Sequence, residues 1–362
     1  MAKKSRSENS TVEKKATSDL QKRLDAINAK LGKKVDKLPG LDTEERQLKL
    51  YATGVRTLDI ALSGGLPVGR ITEFFGEEQS GKSLISLLAI AEAQKAGKTC
   101  MFIDAEQGYV PAWGAKLGVD NSKLIYHNGN VVEQIFTIIE AYAQEKVVDL
   151  VVIDSIAGLA TDAIVDGEMG AAKYSPVALS MSRILPKIMP LLSEKEVSLI
   201  LINQVRDEIG GYQKSLKTPG GRAIRHAAST RIRVYKSGSS KRIKASDDVD
   251  TGIEIECEVR KHRGGANYRM AEFRIDYEKG FDREYDLICA LKSKQIATLS
   301  GAYYSIPALD KKYQGMDAFI EAINTEEGLR DSLEKLYADA WNVVPVVNTI
   351  VPVVDEEEED EE

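Results

Sequence analysis

Residues 76–83 read GEEQSGKS: Gly76, four residues, then Gly81, Lys82 and Ser83. An apolar run, RITEFF, precedes them and a helix-like stretch, SLLAIAEAQ, follows. Strand, glycine-rich loop and helix in that order make a phosphate-binding loop rather than a chance match. The glycines let successive backbone N–H groups converge on one anion. The helix adds its positive N-terminal end. Lys82 is placed to reach β- and γ-phosphates, and the Ser83 hydroxyl to hold Mg²⁺. The competing reading is a Gly-Lys turn opening an ordinary helix. The four fixed positions and both flanks weigh against it.

A loop of this kind implies an α/β fold, and the rest of the chain alternates accordingly. RITEFF, TCMFID, LVVID and SLILIN are short apolar runs, separated by helical stretches near 83–95, 131–145 and 178–193. Such runs joined by helices predict a P-loop core with a mostly parallel central sheet covered on both faces. TRIRVYK, IEIECEVRKH and YRMAEFRID continue the strand pattern, and GGAN between the last two predicts an antiparallel extension. Residues 283–342 return to mixed helical character, including EEGLRDSLEKLYADAW, and read as a small α+β C-terminal domain. The domain map is therefore a basic N-terminal region at 1–45, an ATPase-type core at 46–282, the C-terminal domain at 283–342, and a linker with an acidic tail at 343–362. Within the first region, Leu20, Leu24, Ile27 and Leu31 share one helical face, and Ser18 with Gln21 forms a capping box. This detached helix at 18–31 is suited to packing on its own core or on a neighbouring subunit.

Composition narrows the function classes. The 362 residues are 43% hydrophobic and 29% charged, as in a soluble globular protein, and no apolar run reaches membrane-spanning length. MAKKSRSENS lacks a secretory signal core, so a cytoplasmic location is expected. Cys100, Cys257 and Cys289 are far apart, and His127, His226 and His262 have no ligand spacing. Neither a disulfide framework nor a zinc site is expected. The net charge of −7 hides a polarity: without the eight acidic C-terminal residues it becomes +1, and residues 1–40 carry eleven Lys/Arg against five Asp/Glu. Contact with a polyanion, tempered by the tail, and simple solubilisation by the tail both fit this distribution.

Three further strand ends carry the residue types that nucleotide hydrolysis needs. LVVID ends in Asp154, a Walker B-like carboxylate for Mg²⁺. TCMFIDAEQ ends in Asp104 and Glu106, where a carboxylate can activate water. SLILINQ ends in Asn203 and Gln204, where an amide can register a γ-phosphate. After Gln204 comes VRDEIGGYQKSLKTPGGR, long, glycine-rich and basic. Arg206, Lys214, Lys217 and Arg222 suit phosphates, and Ile209 and Tyr212 suit nucleic-acid bases. A second loop, VDGEMGAAKYSP, follows the Asp154 strand. An unstructured surface insertion remains the alternative for the long loop.

Taken together, ATGVRTLDIALSGGLPVGRITEFFGEEQSGKS, GKTCMFIDAEQGYVPAWGAKLGVD, VVDLVVIDSIAGL, LILINQVR, TPGGRAIR and GAYYS resemble the bacterial-type RecA recombinase family, divergent phage-encoded members included, from about Leu20 to Trp341. The resemblance implies an ATP- and Mg²⁺-dependent recombinase that polymerises on single-stranded DNA, pairs it with homologous duplex, and has a single-strand-binding protein or loader as a candidate partner. It assigns Gly76, Glu77, Glu78, Gln79, Ser80, Gly81, Lys82, Ser83 and Leu84 to ATP, with Ser83 and Asp154 on the metal. Glu106 matches the water-activating glutamate and Gln204 the residue that couples γ-phosphate to DNA. Met169, Lys173 and Tyr174 fall in the first DNA loop. Arg206, Ile209, Gly210, Gly211, Tyr212, Lys214, Lys217, Gly220, Gly221 and Arg222 fall in or beside the second. Lys261 and Arg263 match two lysines that reach ATP across the subunit interface, and the helix at 18–31 matches the arm that docks on the adjacent subunit. Trp113 stands for the adenine-stacking tyrosine. Val110 replaces an adenine-contacting aspartate, and Leu179 and Pro186 replace DNA-facing arginines. A ring-forming motor of the same core and a DNA-coating scaffold with little hydrolysis are the remaining alternatives.

Overall fold

The computed structural model describes residues 49–162, 176–207, 216–217, 219–236, 242–244 and 250–342, together with residue 29. The helix expected at 18–31 lies outside these, apart from Ala29, which is helical. Chain contacts divide the protein into Met1–Leu48 and Lys49–Glu362.

In chain order the second unit begins with β1 (Leu50–Tyr51), α1 (Arg56–Ala61), β2 (Leu66–Pro67), β3 (Ile71–Gly76) and α2 (Lys82–Lys95). There follow β4 (Cys100–Asp104), α3 (Pro111–Leu117), β5 (Leu124–His127), α4 (Val132–Gln144), β6 (Leu150–Asp154), α5 (Pro176–Glu194) and β7 (Ser198–Gln204). Then come β8 (Arg206–Asp207), β9 (Leu216–Lys217), α6 (Gly221–Ala227), β10 (Thr230–Lys236), β11 (Arg242–Lys244), β12 (Asp250–His262), β13 (Met270–Asp276) and β14 (Gly280–Phe281). The last stretch holds α7 (Arg283–Ser293), β15 (Thr298–Ser300), β16 (Tyr303–Ile306), β17 (Lys311–Gln314), α8 (Gly315–Thr325) and α9 (Leu329–Asn342).

β3, β4, β6 and β7 are buried along almost their whole length, so they need apolar residues on both faces, which their sequences supply. They form the middle of a ten-stranded sheet of order β14-β13-β12-β10-β3-β7-β6-β4-β5, with β11 added beside β12. From β10 to β5 the pairing is parallel. β12 turns back against β10, and β13 pairs with it antiparallel through the turn containing GGAN. One face packs on α2 around Ile85, Ala89 and Phe102. The other packs on α4 and α5 around Phe136, Ile139 and Leu185. α5 keeps both internal prolines, Pro186 and Pro190, on its exposed side.

A third core, around Leu287, Tyr304, Phe319 and Leu333, joins the last three helices to the sheet β15-β16-β17. α9 begins at Leu329, later than EEGLRDSLEKLYADAW suggests, because Gly328 stands at φ 73° just before it. Arg56 ties this core to α1: its guanidinium meets buried Asp286 at 3.1 Å and Glu334 at 2.6 Å. α3 and β5 have no counterpart in the sequence reading. β5 is a half-exposed edge strand, so the apolar run that signals its neighbours is absent.

Candidate nucleotide site and its neighbours

All parallel strands end on the same side, and the cleft lies there, beyond their carboxyl ends. β3 leads into the loop at Gly76, where a Cβ would fall 1.9 Å from the Val234 carbonyl oxygen. Gly81 holds φ 99° at the foot of α2, a left-handed position that suits glycine. Between them the loop curls around the Lys82 ammonium. That group donates to the carbonyls of Gly76 at 3.0 Å and Glu77 at 2.5 Å. Burial pushes its pKa below the ordinary lysine value, against the pull of Asp154, Glu106, Glu78 and Glu77. A charge so placed is discharged best by an anion in the loop.

The loop from Gln79 to Leu84 lines a cleft of about 390 Å³ together with Trp113, Lys236, Ile253, Ile255, Ile275 and Tyr277. Two aromatic rings and three branched apolar side chains beside a phosphate loop suit a purine base. Val110 is exposed just before α3. Sequence reasoning reached Trp113 but not Tyr277, which comes from the antiparallel extension and carries no motif.

Asp104 and Asp154 are register partners on β4 and β6, so their strand tips lie side by side. Their duties differ. Asp104 accepts the N–H groups of Gly108 at 3.1 Å and Tyr109 at 2.8 Å, and the Tyr126 hydroxyl at 3.0 Å. It is spent on folding the 105–110 loop. Asp154 is hydrogen-bonded to Ser83, and burial raises its pKa to about 6, helped by Glu106 and Asp104. A buried carboxylate bonded to the loop hydroxyl suits a divalent cation that supplies the missing positive charge, so Ser83 and Asp154 fit Mg²⁺. Among the described residues no cluster of three His, Cys, Asp or Glu forms a metal cage. Such a Mg²⁺ site would be completed by substrate phosphates and water.

Glu106 accepts hydrogen bonds from Ser155 and, at 3.3 Å, from Gln204 Nε2. Ser155 follows the Asp154 tip directly and was missed in sequence because a serine after a strand has no distinctive pattern. Asn203, adjacent to Gln204, points away from the cleft. It is fully buried and donates to Glu73 at 2.8 Å, as the strand's alternation requires. Of the two amides expected at that strand tip, Asn203 is thus taken up inside the sheet, and Gln204 is the one that reaches Glu106.

Lys261 and Arg263 do not join the phosphate loop of their own chain. Lys261 pairs in register with Arg231, which pairs with Glu73, three residues before Gly76. That is about 10 Å back along the strand. The Lys261 ammonium donates to the Arg225 carbonyl at 2.7 Å, and Arg263 to that of His226 at 3.4 Å. Burial, Arg263 and Arg231 push Lys261 down to about 8.

Of the residues expected at DNA, Met169, Lys173, Tyr174, Ile209, Gly210, Gly211, Tyr212 and Lys214 lie outside the described residues. Arg206 and Lys217 are register partners in the two-residue ladder β8–β9. Gly220 and Gly221 hold φ 84° and 70° at the start of α6, and Arg222 is exposed on it. Leu179 is exposed near the start of α5.

The RecA N-terminal domain family model matches residues 18–282. Protein RecA of Thermus aquaticus is 35% identical over 300 residues, which cover 81% of this chain and 86% of that protein. Protein RecA of Wigglesworthia glossinidia brevipalpis is 37% identical over 296 residues, covering 81% and 88%. Among solved structures, a RadB recombinase has a TM-score of 0.47 and 22% identity, covering 64% of this chain and 98% of that one. With a family model spanning most of the chain and relatives matched over most of their length, the chain belongs to the RecA family.

Proposed function

We infer that this chain is an ATP-dependent DNA recombinase: a DNA-dependent ATPase that assembles on single-stranded DNA and exchanges it into homologous duplex. The observation that carries the reading is the Gln204–Glu106 bond. It links Glu106, the catalytic base in this reading, to the residue from which the segment expected to hold DNA departs. Lys82 and the loop N–H groups bind the phosphates; Ser83 and Asp154 would hold Mg²⁺, which would supply positive charge against charge developing on them. Trp113 and Tyr277 enclose the base. Glu106 takes a proton from the water that attacks the γ-phosphorus as the bond to the ADP oxygen breaks. Gln204 exchanges Glu106 for the γ-phosphate, and the DNA segment feels the exchange.

Lys261 and Arg263 lie away from their own chain's phosphate loop, which supports their reaching the nucleotide of a neighbouring copy in a head-to-tail assembly that does not close. Arg263 keeps the charge of a lysine with different geometry. Among the described residues no helix is long and apolar enough to cross a membrane. A cytoplasmic location and a single-strand-binding or loading partner complete the reading.

The test is ATP hydrolysis by the purified protein with and without a single-stranded oligonucleotide, at fixed low salt and Mg²⁺, followed by strand exchange with homologous duplex. Strong stimulation and exchange are expected. Hydrolysis indifferent to DNA would overturn the reading.

A further inference from the structure

The segment after β7 leaves and returns at one place. Val205 N–H donates to the Gly76 carbonyl at 3.2 Å, which ties the departing end to the phosphate loop. The chain then runs through β8, comes back through β9, paired with it, and reaches Pro219. There the returning end meets Asn203. One Nδ2 group donates to Glu73 Oε1 at 2.8 Å and to the Pro219 carbonyl at 2.8 Å. Both partners are acceptors, so the amide can face them only with its nitrogen. Its Oδ1 is buried and, among the described residues, accepts nothing. A buried acceptor left so calls for an explanation beyond its own hydrogen bonds.

Glu73, in turn, is immobilised. It is fully buried on β3 and paired with Arg231 Nε at 2.5 Å, and that guanidinium stacks on Phe75 at 4.5 Å. The two ends of the segment therefore hang on consecutive residues. Gln204 connects the departing end to Glu106, and Asn203 connects the returning end to β3, the strand that carries the phosphate loop.

We propose that Asn203 is a positioning residue for the coupling between ATP and DNA: by holding Pro219 against the fixed Glu73 carboxylate, it makes both ends of the 205–219 segment answer to one strand tip. This rests on the recombinase reading and adds to it a residue that touches neither nucleotide nor DNA. With the amide removed, the departing end still follows Gln204, while the returning end no longer does. A simple sheet-stabilising role predicts something else: lower stability with coupling intact.

The experiment measures ATP hydrolysis by the full-length protein, with and without a mixed-sequence single-stranded oligonucleotide, beside thermal unfolding. For Asn203→Ala, the DNA-free rate and KM are expected to stay within about two-fold of wild type while stimulation by DNA falls roughly ten-fold or more, a size typical of site-to-site coupling. Should Asn203→Ala not fold, Asn203→Ser, whose hydroxyl satisfies only one of the two acceptors, is expected to show the same selective loss. Wild-type stimulation in a folded Asn203 variant would overturn the proposal alone. So would an equal fall of DNA-free and DNA-stimulated rates. A wild-type protein that DNA does not stimulate would overturn the recombinase reading and the proposal with it.

Discussion

The Ser155 hydroxyl donates to Glu106, on the same carboxylate oxygen that Gln204 reaches from the neighbouring strand. Ser155 is buried, and Gly158 backs Glu106 so closely that a Cβ there would lie 3.0 Å from Glu106 Cγ. The Glu106 carboxylate is thus held by two donors and backed by Gly158. Ser155→Ala is expected to lower kcat roughly ten-fold, about 1.4 kcal/mol of transition-state stabilisation, with KM for ATP little changed. Steady-state kinetics check this, and a rise in KM with kcat intact would contradict it.

The two loop glycines should fail differently. Gly81→Ala places a side chain at φ 99° and near Ile255 Cδ1, a movable methyl 2.5 Å away. The strain is about 1–2 kcal/mol, and ATP binding is expected to weaken about ten-fold. Gly76→Ala drives a methyl into the backbone carbonyl of Val234, which cannot move without parting β3 from β10. Its ATP affinity and its thermal midpoint should both fall further than those of Gly81→Ala, as calorimetry of each variant will show.

Because Lys261 lies away from its own phosphate loop, it should act on another copy's nucleotide. Lys261→Ala and Lys82→Ala are each expected to be inactive alone. Mixed one to one on single-stranded DNA, they should regain about a quarter of wild-type hydrolysis, the share of head-to-tail interfaces that join an intact loop to an intact lysine. No recovery on mixing would place Lys261 in its own subunit's site or outside the chemistry.

Asp59 offers a pH test of stability. Burial raises its pKa to about 8, against the hydrogen bonds it accepts from Thr53, and Asp286 and Glu92 push the same way. The folded state thus keeps a proton that the unfolded chain releases near its ordinary value of 3.8. The stability that this proton confers is full below that value and is lost as pH rises toward 8. Asp59→Asn removes the titration. The difference in thermal midpoint, variant minus wild type, should grow from pH 5 to pH 8. A constant difference would mean that Asp59 ionises alike in both states.

What the sequence made legible follows from how locally each feature is encoded. The phosphate loop, and Asp154 and Gln204 at their strand tips, are short patterns set by backbone chemistry, and the structure brings Lys82, Asp154, Glu106 and Gln204 to one cleft edge. The buried parallel strands announce themselves because both faces must be apolar. β5 and α3 do not, since one is a half-exposed edge and the other a seven-residue helix opened by Pro111. Nor can a sequence show which carboxylate of a pair faces the substrate. Asp104 and Glu106 are two residues apart, yet one is consumed by Gly108, Tyr109 and Tyr126 while the other stays with Ser155 and Gln204. Tyr277 and Asn203 acquire their surroundings only when strands distant in sequence are laid side by side.

The margins of the large sheet bear on how copies of this protein can associate. One margin is β5, four residues long, and the other is β14, two residues long. Short outermost strands are one of the devices that blunt a sheet edge against pairing with a foreign strand. A chain that gathers at high local density along a nucleic acid therefore meets its neighbours without an easy route into irreversible cross-β aggregates.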